Sequence, residues 1–494
     1  MMRVRKKTLD KATEVAISQA ATAGIPLAFD RYEDQVPACG FGRMGLDCKA
    51  CTQGPCRITP FEATNGTTCG RDREGTVAAS FLSIIADGAV ANASFAGAEE
   101  KVAGTVFAAI AAANEGNASA EQLLARAVEV ASAGFAMLPA GVDGAVKEIQ
   151  TGIGAINPDR LNILLIGNVP ATRAKAIATE LASNPKVNVV GAAGGEAADV
   201  AVAANYGSQE ALLVTTAIDG VVAGKACVSP GFLALAARQG VPVVDADKLD
   251  ASQLMADAET HFRVNAGRSL AARYAPASAT VGFGTAIFGG ITADQWKGLV
   301  GSGIKGIALM GGCNNAAETQ DAAIVRQTLE LLKNDVLVIA TGCAAVGLAK
   351  AGYMNPNRVS DFAGKGLQNF LARLSEAIGL SVPAVIEAGT CWEMPAAMGM
   401  AKLFQKELKL PLGASMPEVS RPAAWSTALA IAAQGVPTYV GPILPLDGGL
   451  ETVNNLNAML AAKGGALMGP GQMGTDPEAI VKLVMGIGGG QRAN

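Results

Sequence analysis

One histidine in 494 residues is the sequence's plainest deficit. Histidine is the commonest general acid–base group near neutral pH and the commonest metal ligand. Chemistry run by a histidine proton relay is therefore not expected. The single one, His261, lies in the charged stretch AETHFRVNAGR, where a solvent-facing side chain is expected. An excess of either charge is also missing. Lys and Arg number 39 against 43 Asp and Glu, a net charge of −4, which excludes a strongly basic nucleic-acid-binding surface by bulk electrostatics. Long apolar runs are absent too. The longest uncharged stretch, Pro422 to Leu446, is broken by Gly435, Pro437, Gly441 and Pro442, so it reads as helix, turn and strand with no membrane span. The basic start MMRVRKKTLDKATEV has no apolar h-region and does not read as a secretory signal, so a soluble, reducing, cytoplasmic setting is expected.

Aromatic residues make up only 4% of the chain, yet half of it is hydrophobic and 59 residues are glycine. A core of Ala, Gly and Val implies helices and strands packed at close range, as in α/β proteins. Residues 1 to about 38 read as one amphipathic helix and a loop. Thr76 to Ala133 is Ala-rich at helical spacing, interrupted near Asn114–Asn117. From LNILLIGN onward, short apolar strands alternate with helices, which predicts parallel sheets with crossover helices. The expected architecture is α/β: an N-terminal all-helical domain over 1–155, which carries the cysteine block described next, then two Rossmann-like α/β domains with parallel sheets over 156–295 and 296–494. The glycine run from Gly486 to Gly490 does not follow a strand and open a helix as a dinucleotide fingerprint must.

Five of the nine cysteines crowd into residues 39–69. Cys48, Cys51, Cys56 and Cys69 read C-x2-C-x4-C-x12-C, four thiolates in one loop region, matching the ligand count of a [4Fe–4S] cubane. Gly42, Gly45 and the pair Gly54-Pro55 let the backbone turn around a bulky core. Disulfides are disfavoured without a secretory signal. Structural zinc stays open, although zinc sites favour paired C-x2-C knuckles or Cys/His mixtures and this block has one C-x2-C and no histidine.

The remaining cysteines lie far apart in sequence but share a local pattern. IALMGGC, VLVIATGC and AVIEAGTC each run from a strand through a small-residue turn to Cys313, Cys343 and Cys391, and VVAGKAC places Cys227 similarly. Ligands of open α/β sheets bind where the carboxyl ends of strands converge. Any one of these cysteines alone would pass for a small buried hydrophobe; the shared strand-end position argues for a common role.

Cys39-Gly-Phe-Gly, Gly45, Cys48-x-x-Cys51 and Gly54-Pro55-Cys56-Arg57-Ile58 together resemble the N-terminal signature of the anaerobic nickel–iron carbon monoxide dehydrogenases, a family related to the hybrid-cluster proteins. Gly311-Gly-Cys313-Asn-Asn315, Thr341-Gly-Cys343-Ala-Ala, Lys350-Ala-Gly, Gly389-Thr-Cys391 and AGKACVSP around Cys227 resemble the segments that carry the family's active-site cluster. The resemblance implies a [4Fe–4S] cluster on Cys48, Cys51, Cys56 and Cys69. It also implies a second iron–sulfur cluster on Cys227, Cys313, Cys343 and Cys391, the last being the family's nickel ligand. It further implies a homodimer, a ferredoxin-like electron carrier, and an intersubunit cluster held by Cys39 and a second cysteine. That second cysteine falls at Asp47, so the bridging cluster is either absent or takes Asp47 as an oxygen ligand.

Several departures fall on one task. The family holds an iron outside the cubane with a histidine and a fifth cysteine; here the first gives Asn168 and the second falls in Gly191–Gly195, which has no cysteine. The family's active-site lysine falls near Arg421–Ala424, its histidine ladder near Asn92, Phe95 and Ala98, and a further histidine at Glu387. Four cysteines satisfy the four corners of one cubane. The second cluster is therefore expected to lack the external iron, with nickel left open, and Asn168, Glu387 and Cys391 are the candidate catalytic residues. Three functions compete: doubtful CO/CO2 turnover, reduction of a small molecule such as hydroxylamine as in hybrid-cluster proteins, and electron transfer or redox sensing without catalysis. Glu387, Glu393 and Glu196 are the carboxylates expected near the site.

Overall fold

The computed structural model describes residues 5–59, 61, 66–115, 117–141, 145–195, 199–264 and 273–486. In chain order the strands are β1 (Asp47–Cys48), β2 (Cys56–Arg57), β3 (Lys147–Thr151), β4 (Leu161–Ile166), β5 (Val187–Ala192), β6 (Ala201–Ala204), β7 (Gly220–Ala223), β8 (Val243–Asp245) and β9 (Ala277–Val281). β10 (Gly306–Met310), β11 (Val336–Ala340), β12 (Val385–Glu387), β13 (Leu412–Met416), β14 (Pro437–Val440) and β15 (Ala466–Met468) follow. The fold is mixed α/β with parallel sheets, and the chain divides into two compact units, each built from two stretches: 1–34 with 140–410, and 35–139 with 411–494.

In the first unit seven strands lie in the order β8-β7-β4-β5-β6-β3-β9, parallel except for β9, which runs antiparallel to β3. β4 is wholly buried and reads LNILLI, the near-continuous apolar run of a strand covered on both faces. The chain leaves β4 toward β5 on one side and returns to its other side at β7, so a topological switch point lies at the carboxyl ends of β4 and β7. β10, β11 and β12 pair in parallel in sequence order in the same unit, and the expected helices Ala322–Lys333 and Gly342–Lys350 follow β10 and β11.

The second unit holds a helical bundle of Arg73–Phe95, Glu99–Glu115 and Ala120–Phe135, with the hairpin β1–β2 at its N-terminal side. The sequence reading placed a break only near Asn114; a second one occurs at Gly97, whose φ of +61° ends the first long helix. In the first unit, likewise, the expected N-terminal helix is two, Lys11–Thr22 and Ala28–Glu33, separated at Gly24 (φ +65°). Among the described residues Arg73–Phe95 is the one helix long and apolar enough to cross a bilayer, and 67% of its apolar window is buried. Phe81, Leu82 and Ile85 on it are fully buried, each worth roughly 1.5–3 kcal/mol. The unit's C-terminal stretch supplies helix Pro422–Ala433, which packs on this helix and on Ala120–Phe135. A Cβ on Gly88 would stand 2.2 Å from Pro422 O, and one on Gly134 2.7 Å from Ala89 Cα. The scarcity of aromatics thus reflects helices brought to near contact through small residues.

His261 corrects the sequence expectation. Its ring is 9% exposed, with Nδ1 3.4 Å from Oδ1 of the fully buried Asp219. It sits on the inner face of helix Ala251–Val264, whose outer face carries the charges that made the segment look solvent-facing.

Gly88→Ala offers a clean test of the close-packed bundle. Helix propensity alone would favour alanine by about 1 kcal/mol, but overpacking against the Pro422 backbone costs about 1–3 kcal/mol or more. Chemical unfolding is expected to show net destabilisation; a more stable variant would mean that the two helices are not in contact.

Candidate metal centres

The first cysteine block is a short hairpin. Cys48 and Cys56 are register partners across β1 and β2, and Asp47 faces Arg57. Fully buried Leu46 and Ile58 anchor its base, joined by Ile58 N–H donating to Leu46 O at 2.9 Å. A Cβ on Gly54 would lie 3.0 Å from Cys48 O, 3.1 Å from Cys56 N and 3.4 Å from Cys51 O, so the loop closes with the backbone of three cysteines around one glycine. Cys69 comes in from the following turn. Thr68 places its hydroxyl 3.3 Å and its amide 3.4 Å from Cys56 Sγ, and the Thr67 hydroxyl lies 3.1 Å from Cys69 Sγ. These contacts pull the Cys56 thiol below its ordinary range through Thr68, and the Cys69 thiol through Thr67 with the Arg71 backbone second. The thiolate is the form that binds metal.

Cys39 is exposed at the start of the one-turn helix Gly40–Arg43. The Asp47 carboxylate packs against Gly42 and pairs with the Lys49 ammonium at 2.9 Å. That contact raises the Lys49 pKa, and Cys39 adds to the same field.

The second cysteine set is scattered through the first unit's sequence, but its loops meet around the turn Asn205–Gln209 after β6. Tyr206 N–H points at Cys343 Sγ at 3.4 Å. Gly207 N–H donates to Asn314, next to Cys313, at 3.0 Å. Gln209 Nε2 lies 3.4 Å from Cys227 O, and Gln209 Oε1 accepts from Ser229 N–H at 2.9 Å. Cys343 and Cys391 are neighbours through Gly342: with φ +56°, its missing Cβ would stand 2.8 Å from both Cys391 Cβ and Cys391 N. Cys343 is buried, and Cys227, Cys313 and Cys391 are half-buried. Cys227 holds φ +62°, and one side of it packs against the apolar core. Sequence reading missed the turn at 205–209; its signal was a further strand ending in small and polar residues, NYGSQ, but with no cysteine to mark it.

Asn168 sits at the switch point between β4 and β7, 7% exposed. Its amide oxygen accepts the indole N–H of Trp392, the residue after Cys391, and its backbone exchanges hydrogen bonds with Lys225 and Ala226 in the Cys227 loop. Gly194, in the bulged stretch that follows β5, lies behind it: a Cβ there would approach Asn168 Oδ1 to 3.3 Å. Asn168, Gly194 and Trp392 therefore fill the position between the Cys227 and Cys391 loops.

Glu387 engages both carboxylate oxygens with backbone amides, Gly282 at 2.7 Å and Gly389 at 2.6 Å. Glu393 caps its own turn by accepting Thr390 N–H at 2.7 Å. Both line a cleft that also reaches Gly342 and carries Lys147, Lys175 and Asp199. Glu196 lies outside the described residues. Arg421, in the stretch Arg421–Ala424 where the family's lysine is expected, is the residue before helix Pro422–Ala433 in the second unit, and Asn92 there donates to Thr427. Among the described residues no three His, Cys, Asp or Glu side chains converge as ligands of a single bare ion. The corners of a cubane ask for a different spacing, since each thiolate there binds its own iron across the cluster body.

Iodoacetamide labelling of the metal-free protein tests the Thr67 and Thr68 contacts. Cys56 and Cys69 are expected to react at lower pH than an ordinary thiol, and Thr68→Val should move Cys56 back up. A Cys56 that labels with the pH profile of an ordinary thiol would contradict the hydrogen bonding.

Along its whole length the chain is similar in sequence and in fold to known proteins. Carbon monoxide dehydrogenase 1 of Carboxydothermus hydrogenoformans is 25% identical, covering 91% of this chain and 93% of that protein. The carbon monoxide dehydrogenase of Rhodospirillum rubrum is 26% identical over 88% and 91%. Among solved structures, carbon monoxide dehydrogenase IV from C. hydrogenoformans superposes with a TM-score of 0.85 at 22% identity, covering 98% of both chains. The enzyme from Thermococcus sp. AM4 superposes with a TM-score of 0.80 at 21% identity, covering 98% of this chain and 96% of that one. Residues 145–473 match the Prismane/CO dehydrogenase family, and with two thirds of its length so matched, the chain belongs to that family.

Proposed function

We propose that this chain is an iron–sulfur oxidoreductase of the carbon monoxide dehydrogenase type whose second cluster is a plain four-cysteine cubane. Cys48, Cys51, Cys56 and Cys69 would hold one [4Fe–4S] cluster, and Cys227, Cys313, Cys343 and Cys391 the other. Three observations support the fit. Cys227 follows β7 at the switch point of one sheet, and Cys313, Cys343 and Cys391 follow the adjoining strands β10, β11 and β12 of the other. Tyr206 N–H already faces Cys343 Sγ. The hydroxyl of Thr341, fully buried two residues before Cys343, has no hydrogen-bond partner among the described residues and so has capacity for an acceptor. When bound, the clusters supply one-electron transfer at potentials tuned by hydrogen bonds to sulfur. The protein's part is to hold the thiolates, donate those hydrogen bonds and exclude water.

The observation that carries the reading is the hydrogen bond between Asn168 and Trp392. Where the family offers an imidazole and a thiolate to an external iron, this chain offers an amide already bonded to an indole, with a glycine behind it. CO/CO2 turnover is accordingly proposed to be slow or absent, and Cys391 to be the thiolate nearest any substrate. The same reading includes a homodimer and a ferredoxin-like carrier that collects electrons at the first cluster, where Cys51 and Cys69 are exposed. Asp47, paired with Lys49, favours a dimer without the bridging cluster. A second reading, reduction of a small molecule of the hydroxylamine class, has one observation in its favour: the cleft bearing Glu387 and Glu393 ends on Gly389 and Thr390, beside Cys391.

Metal analysis and Mössbauer spectroscopy on anaerobically purified protein provide the test. About eight irons and eight sulfides per chain are expected, in two four-iron clusters. A high-spin iron ligated by nitrogen outside the cubane, or CO oxidation at rates typical of an efficient enzyme, would overturn the reading. Hydroxylamine reduction would establish the second reading and exclude a purely electron-storing role.

A further inference from the structure

Beneath Cys343 lies a buried ion pair that the cluster reading does not use. Lys350 Nζ stands 2.8 Å from Asp321 Oδ2, with the two side chains 6% and 3% exposed. Lys350 ends the helix that begins at Gly342, so cation and thiolate ride on one rigid element. Asp321 is held from the other side as well. Its Oδ1 accepts from Asn205 Nδ2 at 2.7 Å and from Asn314 Nδ2 at 2.9 Å. Asn205 also receives Gln320 Nε2 and Ser208 Oγ on its amide oxygen and points toward Cys343 O. A Cβ on Gly347 would stand 2.7 Å from Asp321 Oδ1, which leaves no room for another side chain. Burial acts to push the Lys350 ammonium down, but attraction to Asp321, and then to Asp10, more than offsets it, and Cys343 lies within the same field. The lysine stays charged.

A buried ion pair is an expensive way to stabilise a fold, since apolar residues of similar volume often serve as well or better. This one touches, through Asn205 and Asn314, the loops of Cys343 and Cys313. Within the low-dielectric interior a fixed charge acts on its neighbours far more strongly than at the surface. We propose that Lys350 and Asp321 are positioning and electrostatic residues for the second cluster: the ammonium stabilises its reduced, more negative state, and the carboxylate holds the ammonium and the two cysteine loops in place. The proposal rests on the cluster reading given above.

The test is a spectroscopically monitored redox titration of the holoprotein and of Lys350→Met, Asp321→Asn and the double variant. Removing the cation should move the second cluster to a more negative potential. Removing the anion should move it to a more positive one. In the double variant the amide introduced at position 321 can still accept from Asn205 and Asn314 while both charges are gone, and a smaller, net negative shift is expected because the ammonium, on the same helix as Cys343, acts on it more strongly than the carboxylate does. The first cluster, in the other unit, should keep its potential in all variants. Opposite signs from the two single variants mark an electrostatic role; a merely structural one would lower iron content without ordering the potentials. Should the single variants fail to fold, the double variant decides alone. A wild-type potential there with full iron content would overturn the proposal. Wild-type protein with about four irons per chain instead of about eight would overturn the cluster reading itself, which the iron analysis detects separately.

Discussion

Gly342 has no side chain because Cys391 occupies the space where one would go, and that close approach of backbones underlies the whole second cysteine set. Neighbouring strand ends in a parallel sheet are about one strand spacing apart, but Cys227 follows a strand of a different sheet from the other three, so the loops must fold toward one another for the set to come together. The glycines at 207 and 342 permit this. Each brings a loop to within a carbon's width of the next, against Asn314 and Cys391 respectively. Gly54 does the same among Cys48, Cys51 and Cys56. The chain's high glycine content and its scattered cysteines are thus two aspects of one requirement.

The same constraint closes the space between the Cys227 and Cys391 loops. Asn168, Gly194 and Trp392 come from three different loops and still touch. An amide and a hydrogen atom leave room for the indole, which satisfies the amide.

Much of this was legible in the sequence. The strand–turn–cysteine pattern located Cys227, Cys313, Cys343 and Cys391, because strand ends and small-residue turns are local signals. The alternation from Leu161 onward yielded the parallel sheets for the same reason. What could not be read was long-range. The turn at 205–209 has no cysteine to mark it, and the pair Lys350–Asp321 joins residues whose proximity depends on how two helices follow two strands. His261 was misjudged because a charged segment can be amphipathic, and its inward face decides the histidine's surroundings. The pairing of 35–139 with 411–494 left no local signature either: Gly88 and Pro422 look unremarkable until they are in contact.

That last pairing has a consequence for the order of events at the ribosome. The long apolar helix Arg73–Phe95 packs on Glu99–Glu115 and Ala120–Phe135, made soon after it, and on Pro422–Ala433, made far later, and the foot of the cysteine hairpin rests on the loop near Pro445 and Gly448, where Gly448 N–H donates to Met44 O. During synthesis the hairpin that carries Cys48 and Cys56 is made long before the backbone it rests on. Until that backbone arrives, its thiols stand without the support that holds them in the finished fold.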